Sequence, residues 1–123
     1  MKITLKKQTK IGNLYINCSL KNTLITLTGF QNQIFFRSSC RAIDQVSKKK
    51  NNINNFKQIS FLIRKEIVKN KLKILKIFVK GIGKGRYYIL KSLKKKRKLK
   101  IYMVFDRTPI PFNGCRLKKQ KRR

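Results

Sequence analysis

Residues 74–93 constrain the fold most, because they have the pattern of a buried strand, a glycine-rich turn and a helix in succession. The run 74–79 is almost continuously apolar, which predicts a strand covered on both faces. Residues 80–86, called the glycine turn here, contain three glycines and precede a helix predicted at 86–95. A strand that enters a helix through glycines leaves backbone N–H groups unpaired at the positive end of the helix dipole. We therefore expect an anion site at this turn, with phosphate as the ligand.

Charge restricts the partners of the chain. It has 34 Lys plus Arg against 3 Asp plus Glu, a formal net charge of +31 at pH 7. A compact domain of this charge repels itself, so a polyanion partner is expected. Nucleic acid is the favoured partner and an anionic membrane surface is the competing one. No apolar run approaches the roughly 20 residues of a transmembrane helix, and the basic N-terminus lacks the apolar core of a secretory signal but is compatible with an organellar transit segment.

The first part of the chain predicts an antiparallel meander. Alternation from Leu14, with Leu20 on the buried side, predicts one strand, and the runs 23–28 and 33–38 predict two more. A tight turn at Lys21-Asn22 should join the first two strands, since Asn tolerates positive φ. Residues 39–54 are expected to be a polar loop with a short helical turn at its start.

The second part of the chain adds helices and parallel strands. Asn55 is the predicted N-cap of a helix with an apolar face at three- and four-residue spacing, and Asn70 is its predicted C-cap. A right-handed crossover would place the strand 74–79 parallel to a neighbour. A last strand is predicted at 99–105, with its odd-numbered residues alternating against its even-numbered ones. The prediction is an α/β fold with a single mixed sheet and helices packed on it.

Three segments are expected along the chain. They are a basic N-terminal arm at 1–11, an α/β RNA-binding body at 12–106 and an extended basic tail at 107–123. The tail contains two prolines and a glycine, which disfavour regular structure. A basic segment that cannot fold alone is expected to become ordered on a polyanion.

The residues expected to bind RNA lie in the glycine turn, in the loop before the long helix and in the tail. In the turn and the loop they are Lys80, Gly81, Gly83, Lys84, Gly85, Arg86, Lys48, Lys49 and Lys50. In the tail they are Arg107, Asn113, Gly114, Arg116, Lys118, Lys119, Lys121, Arg122 and Arg123. The hypothesis is that N–H groups of residues 83–86, with the side chains of Lys84 and Arg86, contact backbone phosphates. Asn113-Gly114 is a turn signal that would present Arg116 to RNA.

Other interpretations of the glycine turn are a plain strand–helix connection and a dinucleotide site. A dinucleotide site requires G-x-G-x-x-G, and Arg86 occupies the place of the third glycine. Tyr87 and Tyr88 could stack on bases, but covering the edge of the core is the favoured role.

Catalytic and metal chemistry is not indicated. The acids Asp44, Glu66 and Asp106 are expected in a loop, a helix and the tail, whereas metal-dependent nucleases need grouped carboxylates. Glu66 should pair with a lysine, and Asp106 should pair with an arginine or cap the tail. The three cysteines form no C-x-x-C pair and the chain has no histidine, so reduced thiols are predicted rather than a zinc site. We expect no enzyme, no cofactor, no metal and no small-molecule substrate.

Three segments resemble small-subunit ribosomal protein eleven of the bacterial-type family. Residues 108–116, T-P-I-P-F-N-G-C-R, resemble the family's T-P-I-P-H-N-G-C-R. Residues 79–86, V-K-G-I-G-K-G-R, resemble its V-K-G-P-G-P-G-R, and residues 19–28 resemble its S-F-N-N-T-I-V-T-I-T. Ile82 and Lys84 replace the two prolines of the turn, Phe112 replaces the histidine of the tail, and the family's basic loop has no clean match at 48–55.

The resemblance implies a ribonuclease H-like topology and a structural role on the platform of the small ribosomal subunit. There the protein would bind small-subunit rRNA near the mRNA exit path, beside other platform proteins and without membrane contact. The departures from the family's segments and the excess of basic residues indicate a mitochondrial member of the family. A plastid or the cytoplasm of an AT-rich organism are the alternative locations. The alternative functions are a free basic RNA chaperone and a membrane-active basic protein.

Overall fold

The computed structural model describes residues 10–43, 52–95 and 98–122. In chain order the elements are β1 (Ile11–Cys18), β2 (Thr23–Gly29), β3 (Ile34–Ser39), α1 (Cys40–Ile43), α2 (Ile53–Lys69), β4 (Ile74–Lys80), α3 (Gly85–Lys94) and β5 (Lys100–Asp106). Most of the predicted N-terminal arm, the lysine run at 48–50 and Arg123 lie outside the described residues.

The strands form one five-stranded mixed sheet in the order β3-β2-β1-β4-β5. β1 pairs antiparallel with β2, and β2 pairs antiparallel with β3, so the predicted meander is confirmed. β4 runs parallel to β1 on one side and to β5 on the other, as the crossover argument predicts. The fold class expected from the sequence is therefore confirmed.

The helices cover one face of the sheet, and the core lies between them and that face. Leu14 and Ile16 of β1 and Leu75 of β4 are buried there against Ile59 and Ile63 of α2. The alternate residues of β4, Ile74, Lys76 and Phe78, are only partly buried. The expectation that β4 is buried on both faces is wrong, because no described helix covers the second face, which we call the open face.

The two ends of α2 are capped in different ways. Its N-cap is Asn52 and not Asn55, which lies inside the first turn and is buried. Asn70 is the C-cap, as predicted. Beyond it, Lys71 has φ +55° and donates to Val68 O, while Leu72 N–H donates to Ile67 O. This is a Schellman arrangement, which accounts for the last carbonyls of the helix.

The first hairpin turn lies one residue earlier than predicted. Ser19 and Asn22 close it, since Ser19 N–H donates to Asn22 O at 2.8 Å and the Ser19 hydroxyl accepts from Asn22 N–H at 3.0 Å. Asn22 therefore does not need a positive φ. Leu20 lies at the turn and is 76% exposed, so its predicted place on the buried face is wrong.

A bulge in β5 changes which residues face the helices. Ile101 pairs with Leu75 and Met103 pairs with Lys76, so Tyr102 is an extra residue in the edge strand. One extra residue moves the following side chains to the other face of a sheet. Simple alternation along 99–105 was therefore wrong: Ile101 packs on the core, whereas Phe105 stands on the open face beside Phe78.

Candidate nucleic-acid interface

The glycine turn connects the end of β4 to the start of α3 and lies against the end of β1. Gly81 has φ +98°, and a side chain there would collide with the backbone carbonyl of Cys18. At Gly85 an added Cβ would lie 2.6 Å from Thr23 Oγ1 and 2.9 Å from Phe56 Cε1. Glycine at these two positions therefore lets the turn and the helix start pack directly on β1, β2 and α2.

The start of the tail is hydrogen-bonded to the glycine turn. Arg107 N–H donates to Val79 O at 2.7 Å, and Gly81 N–H donates to Thr108 Oγ1 at 3.2 Å. The Thr108 hydroxyl in turn donates to Asp106 Oδ1 at 2.6 Å. The two segments that the sequence predicts to reach RNA separately thus leave the body from one place.

Arg86 completes this arrangement, and we call Gly81, Arg86, Asp106 and Thr108 the turn–tail junction. The Arg86 guanidinium donates to Gly81 O at 3.0 Å and to Asp106 Oδ2 at 2.8 Å. The expected pairing of Asp106 with an arginine is confirmed, and Asp106 also accepts from Thr108 N–H. Bonds from the Thr108 side chain, and then from Arg86, lower the pKa of Asp106 to about 2. Two N–H groups of Arg86 are therefore used within the protein, which leaves its remaining N–H groups for the predicted phosphate contact.

The outer side of the glycine turn carries two lysines beside the exposed side chain of Ile82. Lys80 and Lys84 are exposed, and α3 begins without a side-chain cap at Lys84. Gly83 N–H donates to Cys18 O at 3.4 Å, whereas the N–H groups of Ile82 and Lys84 have no acceptor among the described residues. Uncapped N–H groups beside lysine side chains are the elements of an anion site.

The described tail beyond Thr108 is exposed along its whole length. It has no regular secondary structure, and Asn113 has φ +53° in the predicted turn at Asn113-Gly114. Arg116 and Lys118, Lys119, Lys121 and Arg122 all lie in this exposed stretch. Their side chains are available for a ligand, and their RNA contacts stay a prediction.

The open face carries residues that sequence reasoning missed. Tyr15, Phe78 and Phe105 come from three adjacent strands and stack on one another, with ring centroids 5.0 Å apart in each pair. The guanidinium carbon of Arg107 lies 4.5 Å from the centroid of the Phe78 ring. No sequence motif links these residues, and only the strand register brings them together.

The two adjacent tyrosines of α3 differ in burial. Tyr88 stacks on Phe56 at 5.6 Å and packs on the core, as favoured, whereas Tyr87 is 60% exposed. Glu66 pairs with Lys69 at 3.9 Å, as predicted.

All three cysteines are free thiols. Burial raises the pKa of Cys18 and of Cys40, while hydrogen bonding with Thr23 opposes the shift. Among the described residues, no three His, Cys, Asp or Glu side chains are grouped closely enough to hold a metal ion. In the same part of the chain, no helix has the length and apolarity needed to cross a membrane.

Comparison with known proteins shows the family. Residues 12–123 match the family model described as ribosomal protein S11. The chain belongs to the ribosomal protein S11 family. It is 33% identical over 118 residues to the small ribosomal subunit protein uS11 of Carsonella ruddii (strain PV), covering 96% of this chain and 99% of that one. It is also 31% identical over 118 residues to the small ribosomal subunit protein uS11c of Tetradesmus obliquus, covering 96% and 90% of the two chains.

The three segments that resemble the S11 family meet at one end of the sheet. The hairpin segment 19–28 follows Cys18, whose carbonyl accepts from Gly83 in the glycine turn. The glycine turn in its turn donates a hydrogen bond from Gly81 N–H to Thr108, the first residue of the tail segment 108–116. Residues distant in sequence therefore form one surface, and this surface is the candidate interface.

Proposed function

We propose that this member of the S11 family is a structural protein of the small ribosomal subunit that binds small-subunit rRNA through the glycine turn and the tail. The observation that supports the proposal is the turn–tail junction, where hydrogen bonds hold the glycine turn and the start of the tail together. The names of the relatives place those proteins in the small ribosomal subunit.

The body acts as a scaffold in this proposal. Backbone phosphates bind at the outer side of the glycine turn, where Lys80 and Lys84 are exposed, and the extended tail follows the RNA with its cations. Each neutralised phosphate releases condensed counterions, which contributes to the binding free energy and makes it depend on salt. Arg86 supports this surface by holding Asp106, so that the negative charge of the one described acid beside the turn is balanced.

The finer placement follows from the resemblance in the sequence. We place the protein on the platform near the mRNA exit path, beside other platform proteins, with a mitochondrial ribosome as the proposed location. The role is structural and not catalytic, because the described acids Glu66 and Asp106 are each engaged with a cation and lie on different elements. No cofactor or membrane contact is part of the proposal.

A pair of variants with equal charge tests the tail. In the first, the last five cations of the tail become Gln: Lys118, Lys119, Lys121, Arg122 and Arg123. In the control, five exposed helix lysines become Gln: Lys57, Lys65, Lys69, Lys91 and Lys94. Both variants have the same net charge, so only the position of the lost cations differs.

The measurement is the affinity for a small-subunit rRNA fragment across a salt series. The log–log slope should become less steep by about 0.7–0.9 for each lost phosphate contact, so the five replacements in the tail should reduce it by roughly 3.5–4.5 and those in the control by much less. Equal slopes for the two variants would show that the tail contributes only net charge, and the tail would then be removed from the proposed interface.

A further inference from the structure

One line of paired residues crosses the open face from edge to edge. The strand register pairs Arg37 with Thr26, Thr26 with Tyr15, Tyr15 with Phe78, and Phe78 with Phe105. These five residues come one from each strand of the sheet. We call them the cross-strand row.

Three members of the row form a continuous aromatic stack. The planes of Tyr15 and Phe78 differ by 13°, those of Phe78 and Phe105 differ by 10°, and both pairs of centroids are 5.0 Å apart. This spacing is close to the roughly 4.8 Å between neighbouring strands. The rings therefore stand side by side on the sheet, and the stack ends at the face of Tyr15 that is turned toward β2.

The row has a gap at Thr26. Thr26 has a short side chain, and its neighbours in the row are the Tyr15 ring and Arg37. Two strand spacings separate these neighbours by about 9–10 Å, and a flat ring held between two flat groups needs roughly 7–8 Å at contact distances of 3.5–4.0 Å. The gap opens into a concavity of about 410 Å³, which is also lined by Asn17 and Ser39.

The charge around the row indicates what occupies the gap. Lys76 and Lys80 share this face of β4, and Arg107 lies over the Phe78 ring. Among the described acids, Glu66 lies on α2, and Asp106 is held by Arg86 at the end of β5. A flat ligand that carries negative charge suits such a surface, and a nucleotide within an RNA strand has both properties.

We propose that one unpaired base of the small-subunit rRNA inserts over Thr26, between the Tyr15 ring and the Arg37 guanidinium, and extends the aromatic stack. The inference rests on the proposed function and adds to it a contact with a base, whereas the glycine turn and the tail contact phosphates. Asn17 and Ser39, which line the same concavity, supply hydrogen-bonding groups for the edge of the base.

The variant Thr26→Phe tests the proposal because it fills the gap with a ring of the protein itself. Phe favours strands and would continue the stack, so the fold should be retained. Thr26→Val is the matched control, since it keeps the volume of the side chain and leaves the gap open. Circular dichroism of both full-length variants establishes that they are folded.

The probes are a short oligoadenylate and an abasic RNA backbone of the same length and charge. The wild type and Thr26→Val should bind the base-containing probe about 5- to 150-fold more tightly than the abasic one. Thr26→Phe should bind both probes equally. Arg37→Lys should reduce the preference while keeping the charge, and Arg41→Lys, at an exposed position of α1, should not.

The outcomes separate this inference from the proposed function. If neither probe binds with a salt dependence, the proposed function fails as well. If both probes bind with a steep salt dependence but the wild type shows no preference for the base-containing probe, only the proposed base contact at Thr26 is refuted. A folded Thr26→Phe variant that keeps the full preference would also overturn the proposal.

Chemical probing of small subunits assembled without mRNA tests the source of the base. One rRNA base should be protected in subunits that contain the wild type or Thr26→Val. The same base should become reactive in subunits that contain Thr26→Phe. Protection that appears only when mRNA is added would assign the gap at Thr26 to a base of the mRNA. A crosslink from Tyr15 to a neighbouring protein would assign the open face to a protein partner. Either result would refute the proposal.

Discussion

Replacement of Gly81 by Ala is expected to destabilise the protein and to weaken the attachment of the tail to the glycine turn. Gly81 has φ +98°, and an added Cβ would overlap the backbone carbonyl of Cys18 in β1. Left-handed backbone costs an L residue about 1–2 kcal/mol, and displacing packed neighbours costs roughly 1–3 kcal/mol. The free energy of unfolding should therefore fall by about 2–5 kcal/mol. Because Gly81 also bonds Thr108 and Arg86, the salt dependence of RNA binding should become less steep.

Urea unfolding followed by circular dichroism measures the effect, in high salt so that repulsion among the cations is screened. Gly114→Ala is the control, since its Cβ would meet only Pro111 Cβ at 3.8 Å, an ordinary contact. The control should stay within about 0.5 kcal/mol of the wild type. A Gly81→Ala variant as stable as this control would refute the argument that the turn is packed too closely for a side chain.

Three further predictions concern single groups. The pKa of Asp106 is lowered from 3.8 to about 2, so its contribution to the turn–tail junction is complete above pH 3.8 and lost as pH falls through about 2. The NMR shift of the Gly81 amide should follow that titration, and Asp106→Asn should abolish it. Lys71→Gly should stabilise the protein by about 1 kcal/mol in urea unfolding, because Lys71 has φ +55° at the end of α2. Lys84→Gln should reduce the salt slope of RNA binding by about 0.7–0.9 without changing stability.

The parts of the fold with a local cause could be predicted from the sequence. The three- and four-residue spacing of Phe56, Ile59, Ile63 and Ile67 predicts the buried side of α2, and all four side chains are buried. The meander, the strand–turn–helix unit and the C-cap at Asn70 likewise follow from patterns within a few residues. Such patterns are visible because neighbouring residues determine them.

The predictions from the sequence were wrong where contacts between distant segments determine the local structure or the burial of a side chain. The bulge at Tyr102 depends on the pairing of β5 with β4, and the exposure of one side of β4 depends on where the helices pack. The N-cap is Asn52 and not the predicted Asn55, which is a buried residue in the first turn of α2. None of these contacts has a signal within the segment concerned.

The candidate interface divides in the same way. The cations, the glycines and the extended character of the tail are properties of the residues themselves, so the sequence alone identifies a partner of negative charge and the two segments that meet it. That Arg86 holds Asp106, that Thr108 binds the glycine turn, and that Tyr15, Phe78 and Phe105 form one row were decided only by the tertiary structure. The physical reason is that these contacts join strands and turns that are far apart in the chain, and only the packing of the sheet fixes their distance and register.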